Sequence, residues 1–384
     1  MESGRSSGKY VFLLNLLSFL FFLYMFFVSI ELMGEAFKGF GRGFAEKLIS
    51  TTSNPFVGLF IGILTTSIVQ SSSLTTSILV GMVAAGTITI QSSIPVIMGA
   101  NIGTTVTNVI VSLGHITRKH EFERAFAGAT LHDFFNILNV TLLLPLHLLT
   151  QQLFGKSFLE FMATGLSTLF ENVGGMKFAS PLSVIVSPAT KLLHNHLLPL
   201  ILSPFGQISD TKLAIAALVL SLAMLFLALT YMVKSMRAAL LVKVENLFDS
   251  YIFKNGLRSF LVGSILTATI QSSSVTTSLM VPIVGAGILT LERVFPYVLG
   301  ANIGTTITAI LASLVTGSKT AVTVAFVHLF FNVIGTIVWY PLKKVPITMS
   351  KKLAKTTLKS RKIAIIYVLM IFYIIPGLLI LLTR

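Results

Sequence analysis

The chain has no cysteine and a single tryptophan, and only 11% of its 384 residues are charged. Without cysteine there is no disulfide and no thiolate, either as nucleophile or as metal ligand. Acidic residues are the scarcer charged class: 13 Asp and Glu stand against 28 Lys and Arg, a formal charge of +15. Such an excess can signal nucleic-acid binding. Here the cations are grouped in a few loops beside apolar runs, the pattern of the positive-inside rule, so no nucleic-acid partner is expected.

Hydrophobic residues make up 54% of the chain, with 30 Phe and 28 Gly, and the mean hydropathy is +0.89. This is the composition of an integral membrane protein. The apolar runs are too long for barrel strands, so the spans are helical. The first run, Val11 to Ile30, follows Arg5 and Lys9 as a signal peptide would. It exceeds the length of an h-region and no small-residue cleavage site follows, so it reads as a true span.

Two polar strings interrupt the apolar pattern, and each occurs twice. QSSSLTTS at Gln70 to Ser77 returns as QSSSVTTS at Gln271 to Ser278, and GANIGTT at Gly99 to Thr105 returns at Gly300 to Thr306. The offset is 201 in both cases, so Asn54 to Leu113 aligns with Asn255 to Leu314 without a gap. Further on, HDFFN (His132 to Asn136) pairs with HLFFN (His328 to Asn332) at an offset of 196, which marks a shortened loop in the second copy. A whole unit is therefore written twice. The expected organisation is an N-terminal span and loop (1–53), repeat one (54–149), an extracytoplasmic connector (150–211), a span and cytoplasmic loop (212–254), repeat two (255–341), and a basic cytoplasmic loop with a last span (342–384). Within the connector, HLLPLILSPF carries two prolines and reads as interfacial or loop.

The charges orient the copies. After Pro341 come Lys343, Lys344, Lys351, Lys352, Lys355, Lys359, Arg361 and Lys362 with no acid between them, a cytoplasmic signature. The matching segment after repeat one, with Lys156, Glu160, Glu171 and Lys177, is unbiased and can lie outside. The segment 234–258 is basic despite Glu245 and Asp249. Corresponding loops on opposite sides make the repeats inverted, provided that each QSSS segment enters and leaves on one side. The apolar stretches flanking QSSS are shorter than the ~20 residues a span needs. The expected fold is thus an all-α integral membrane protein of two inverted-topology repeats, each with a re-entrant helical hairpin and a transmembrane helix broken at GANIGTT. Arg384 is then expected outside.

A non-helical turn at membrane depth has to line a protein cavity. Two inverted hairpins bring their tips together near the midplane, where half-helix N-termini suit an anion and free carbonyls suit cations. Ser and Thr hydroxyls donate to an oxyanion or ligate a hard cation, and Gln70 and Gln271 offer amide donors and carbonyls. GANIGTT adds Asn and Thr oxygens, with Gly where the helix unwinds. The competing account is that Ser, Thr and Gly serve helix packing; duplication of both strings in register favours a site. Neither string holds Lys or Arg, so a bound anion needs cations brought with it. The residues themselves point to an ion-coupled transporter of a small oxyanion, with sodium favoured over protons because buried carboxylates and His are few. The alternatives are an intramembrane hydrolase, disfavoured because no duplicated His or Asp lies close to QSSS, and a binding receptor without flux.

Asp133 lies inside an apolar span, and its counterpart is Leu329. An intramembrane carboxylate is a functional candidate, here an extra cation site in the first half; the other account has it capping a helix end near Arg124. His132 and His328 read as hydrogen-bonded packing groups, because nothing completes a metal ligand set. Asn136 and Asn332 fit either helix-to-helix bonds or cation ligation.

Paired QSSS, paired GANIGTT and the run AFAGATLHDFFN together resemble the type II sodium-coupled phosphate cotransporter family, over residues 54–149 and 255–341. The resemblance implies a sodium–phosphate symporter with inverted repeats, sodium as the co-transported ion and no organic cofactor. It implies phosphate contacts at Gln70, Ser71, Ser72, Ser73, Gln271, Ser272, Ser273, Ser274, Asn101, Thr104, Thr105, Asn302 and Thr305. Sodium contacts carry over to Asp133, Asn136, Gln271, Ser272, Thr305 and Thr308. Electrogenic members have Asp at the Asp133 position and electroneutral ones Gly, which implies electrogenic transport. The short cysteine-free connector departs from animal members and implies a compact bacterial member in the inner membrane. Phosphate efflux, and transport of sulfate or a dicarboxylate, are the alternatives.

Overall fold

The computed structural model describes residues 2–173, 175–244 and 252–383; Glu245, Asp249 and Arg384, used above in the topology argument, lie outside the described residues. The first elements are α1 (Glu2–Gly39), α2 (Arg42–Thr52), α3 (Pro55–Val69), α4 (Ser72–Ala84), α5 (Ile90–Gly103), α6 (Val106–Leu113) and α7 (Lys119–Phe154). Then follow α8 (Phe158–Asn172), α9 (Gly175–Leu192), α10 (Leu198–Leu202) and α11 (Asp210–Val244). Repeat two holds α12 (Gly256–Ile270), α13 (Ser273–Ser278), α14 (Met280–Gly285), α15 (Leu291–Thr316) and α16 (Lys319–Trp339), and the chain ends with α17 (Lys344–Thr356), α18 (Lys362–Leu369) and α19 (Ile375–Leu382).

Among the described residues, seven helical stretches are long and apolar enough to cross a membrane. They are Leu13–Gly39, Ile90–Leu113, Lys119–Phe154, Asp210–Ser235, Leu291–Thr316, Lys319–Trp339 and Lys362–Leu382. Leu14, Phe21, Val219, Phe226, Ile366 and Leu381 are exposed on α1, α11 and the last span, a disposition suited to lipid rather than water. This is a multi-pass helical membrane protein. The arms flanking each QSSS, α3 and α4 in one copy and α12 with Ser273–Gly285 in the other, are the shorter apolar helices.

The packing follows the duplication. α3 lies along α5 and α12 along α15, so the first arm of each broken segment packs within its own repeat. The second arms cross over: α4 packs on α15 and α16, and α13 and α14 pack on α6 and α7. Each copy thus completes its core only with the other.

The structure corrects the reading of GANIGTT. In repeat one the helix does break, between α5 and α6 at Thr104 and Thr105. In repeat two α15 runs unbroken through the whole string. The glycines serve close packing instead. A Cβ on Gly99 would collide with the Leu59 carbonyl, and one on Gly300 with the Phe260 carbonyl. Gly103 repeats this against the Ile63 carbonyl at 2.6 Å. Small residues let two backbones touch, which is the packing role the sequence had set against a site. The connector is also more helical than expected. HLLPLILSPF continues α9 as a π-turn (Leu193–Leu197), α10 and a 3-10 turn (Ser203–Phe205). Pro199 lies inside this continuous helical run, just after the π-turn, and Pro204 in the closing 3-10 turn; a π-turn accommodates the break that a missing N–H makes in the helical ladder. The loop after Pro341 is likewise helical in α17, which buries Pro346, Ile347, Ser350 and Ala354.

One connector acid is placed unusually. Glu160, in α8, is 3% exposed; one carboxylate oxygen accepts from Gln91 Nε2 at 2.9 Å and the other has no partner. Burial raises its pKa above the ordinary carboxyl range, against the pull of Lys156. A carboxyl harder to ionise when folded costs stability once the pH exceeds its unfolded value. Glu160→Gln keeps the bond to Gln91 and removes that cost. Thermal midpoints in detergent should therefore coincide near about pH 4 and favour the variant near about pH 8; equal midpoints throughout would refute it.

Candidate functional site: two broken helices meeting at a polar centre

Each QSSS is a helix break of the same build. Gln70 has φ 56° and Gln271 φ 63°; they are the two non-glycine residues with positive φ among those described. The left-handed conformation is costly for a branched-free but Cβ-bearing residue and persists only where surroundings fix it. Each Gln closes the helix before it, with its N–H on Thr66 O or Thr267 O, both at 2.7 Å. The next residue opens the helix after it. Ser71 Oγ accepts from Leu74 N at 3.2 Å and Ser272 Oγ from Val275 N at 3.3 Å, so both serines are N-caps. A hydroxyl clasp joins the arms: Thr66 to Thr75 at 2.9 Å and Thr267 to Thr276 at 2.6 Å. The first-turn amides of α4 and α13 have no carbonyl one turn back to receive them.

The two breaks touch, and reciprocally. Ser73 Oγ donates to Gln271 O at 3.1 Å, and Ser274 Oγ donates to Gln70 O at 3.5 Å. Since Ser274 corresponds to Ser73 and Gln271 to Gln70, the contact is self-complementary, as about a two-fold axis. Ser73 Oγ also approaches Thr308 Oγ1 at 3.4 Å, and Thr308 donates to Gln271 Oε1 at 2.7 Å. Ser72, Ser73, Ser273 and Ser274 are all buried.

A second layer of exchanged bonds lies beside the breaks. Asn302 Oδ1 pairs with His132 Nε2 at 2.6 Å, and Asn302 Nδ2 donates to Asn136 Oδ1 at 3.2 Å. The amide orientation makes Oδ1 an acceptor, so His132 carries its proton on Nε2. The mirror set joins Asn101 Oδ1 to His328 Nε2 and to Asn332 Nδ2, each at 3.4 Å. Each GANIGTT asparagine is therefore held by the His and Asn of the other repeat. Asn136 also donates to Asn101 O at 2.8 Å. The histidines are packing groups in the bundle, as expected.

Asp133 sits mid-helix in α7, fully buried. The helix-end account does not fit, because Asp133 lies well inside α7, and Arg124 points its Nε at Gly285 O at 2.8 Å. One Asp133 oxygen accepts from Tyr367 Oη at 3.1 Å. The other, Oδ1, has no hydrogen-bond partner. Thr105 adjoins it, but its hydroxyl proton goes to Ile102 O at 2.7 Å. A buried carboxylate with one oxygen held and one free is a ready cation ligand.

The expected residues thus fall into three groups. Gln70, Ser71, Ser72 and Ser73 meet Gln271, Ser272, Ser273, Ser274 and Thr308 at the breaks. Asn101, Asn302 and Asn136 form the exchanged network, so Asn136 bonds there rather than to Asp133. Thr104 and Thr305 each donate to the carbonyl one turn back, at 3.0 Å. Tyr367 was missed, as was Tyr373, whose hydroxyl donates to Ser67 O at 3.1 Å. Both lie on the last span, outside the duplicated units, and a lone tyrosine in an apolar run carries no spacing signal. Among the described residues no cluster of three His, Asp or Glu could hold a metal.

A multi-pass protein whose duplicated halves meet at a buried hydroxyl- and amide-lined centre has the build of a membrane transporter. The chain belongs to the Na+/Pi-cotransporter family: the family profile matches residues 25–177 and 224–370, one block over each repeat. It is 36% identical to the rat sodium-dependent phosphate transport protein 2A, over 93% of this chain and 66% of that protein. It is 34% identical to the sheep 2A protein, over 98% and 68% respectively, and 33% identical to the human 2B protein, over 94% and 64%. The chain thus spans about two thirds of the length of these relatives. No solved structure matches it. Membership of a transporter family supports a non-enzymatic chain. The relatives are mammalian, so the expected bacterial source finds no support among them.

Proposed function

We propose that this protein moves inorganic phosphate across a membrane together with sodium ions, by alternating access, with phosphate bound between the two QSSS breaks. The observation that carries the reading is the reciprocal contact of Ser73 with Gln271 O and Ser274 with Gln70 O. It brings two sets of hydroxyls, Gln amides and first-turn N–H groups into one buried place, where an oxyanion can take their donors. No Lys or Arg lies in either string, so sodium supplies the balancing charge. Asp133 Oδ1 is the free carboxylate oxygen for one ion, and Gln271 Oε1 with Thr308 offers oxygens for another. Sodium binds first and phosphate follows. Entry of phosphate requires Ser73 and Ser274 to release the opposing carbonyls, so the breaks part in each cycle.

The inverted orientation of the repeats belongs to this reading. Short arms on either side of each break and crossed-over second arms support re-entrant hairpins related by an axis in the membrane plane. The basic segment around α17 then faces the cytoplasm. A bacterial inner membrane is supported only by the short, cysteine-free connector.

The test is equilibrium binding of radiolabelled phosphate to the purified chain in sodium or in choline. Binding that needs sodium and is displaced by arsenate but not sulfate is expected. Displacement by sulfate or a dicarboxylate would instead identify another oxyanion as substrate.

Gln70 separates its backbone role from its side-chain role. Gln70→Gly relieves the positive φ, whereas Gln70→Ala keeps the strain of about 1 kcal/mol. If the amide contacts phosphate, both variants lose phosphate affinity by about tenfold, the worth of one hydrogen bond to a charged group. A Gly variant with unaltered affinity would leave Gln70 a turn residue only.

A further inference from the structure

At the Lys- and Arg-rich end of repeat two, the N-termini of α12 and α15 and the C-terminus of α16 enclose a cleft of about 420 Å³. Lys254, Arg293 and Lys343 come to it from three separate segments. Among the described residues none of the three has a carboxylate within ion-pair distance. The one acid in the lining, Glu292, is taken by Lys351 at 2.7 Å. Lys343 lies over the Tyr340 ring, 5.8 Å from its centroid. Asn255 Oδ1 is engaged by Arg258 N at 2.8 Å, which leaves the Asn255 amide hydrogens as donors beside the cations.

We propose that this cleft is a second anion site, built for a phosphate group and separate from the hairpin centre. Three cations with no carboxylate partner among the described residues repel each other around one opening, and an anion among them turns that cost into attraction. Arg293 supplies the planar fork that matches a phosphate edge, and the two lysines supply point charges. Basic loops at this end are expected of inverted repeats; what sets the cleft apart is that Lys254, Arg293 and Lys343 converge on one opening from three separate segments. The positions of repeat one that match Lys254, Glu292, Arg293 and Lys343 are Ser53, Gln91, Ser92 and His147. A phosphate group can arrive at the cleft as inorganic phosphate or as the headgroup of an anionic lipid.

Amine footprinting tests this on the full chain. Wild-type protein in phosphatidylcholine nanodiscs, in sodium-free choline medium, is acylated at lysine and read residue by residue by mass spectrometry. One arm adds inorganic phosphate; the other replaces part of the lipid by phosphatidate. Lys254 and Lys343 should react about fivefold more slowly, as mass action gives for a site about four-fifths occupied, while Lys359 and Lys362 keep their rates. Protection by inorganic phosphate assigns the site to the free ion, and protection by phosphatidate alone assigns it to lipid. Arg293→Gln should abolish either. Absence of protection in both arms, or protection shared equally by Lys359 and Lys362, would overturn the proposal. Because sodium is omitted, the result is independent of the sodium-dependent binding that tests the transport reading.

Discussion

Replacing Asp133 by asparagine removes one positive charge from the net charge moved per phosphate. The side chain is fully buried, with Oδ2 on Tyr367 and Oδ1 unpartnered. A carboxylate in that position has to be neutralised before the loaded protein can change state, and in the proposed cycle a sodium ion does this. Asparagine keeps the shape and the bond to Tyr367 but needs no ion. The charge translocated per phosphate, measured as current against tracer flux, should fall by one unit. The apparent sodium dependence should become less steep. Asp133→Gly gives the same result with an added helix cost of about 1 kcal/mol. Tyr367→Phe leaves the carboxylate charge in place but frees its orientation. It should weaken sodium affinity and leave the charge per phosphate unchanged. An unaltered current-to-flux ratio in Asp133→Asn would remove Asp133 from the coupling.

Adding one methyl group at Gly99 or Gly300 should be among the most damaging single changes to folding. The new carbon meets a backbone carbonyl, Leu59 O or Phe260 O, which cannot move aside as a flexible side chain can. The arms of the broken segments must then separate from α5 or α15. Overpacking of this kind costs about 3 kcal/mol or more. The Ala variants should show a lowered thermal midpoint in detergent or fail to accumulate. Gly165→Ala is the control, because nothing lies within 4 Å of its added carbon. It should be neutral or slightly stabilising. Equal behaviour of all three would show that the close approach is not essential.

How far the sequence could be read depended on duplication. QSSS and GANIGTT announced themselves because each recurs at one offset. The breaks at Gln70 and Gln271 and the shortness of their arms followed from polar residues inside apolar runs. The meaning of GANIGTT did not. Glycine in a membrane helix signals both unwinding and close packing, and only the facing backbone tells them apart. Asp133 was visible as a charge out of place. Its partner Tyr367 was not, because the two are 234 positions apart and Tyr367 belongs to a span with no second copy. The stretch HLLPLILSPF reads as interfacial or loop from its prolines, although the helix is carried through it by a π-turn ahead of Pro199 and a 3-10 turn at Pro204.

The account rests on sodium-driven movement of phosphate, and flux tests it most directly. Purified protein is reconstituted in proteoliposomes and given radiolabelled phosphate with an inward sodium gradient or with choline in its place. Accumulation that requires the gradient and is lost with excess unlabelled phosphate or arsenate is the predicted result. Phosphate movement that is equal in sodium and choline, or none in protein that binds phosphate, would contradict it.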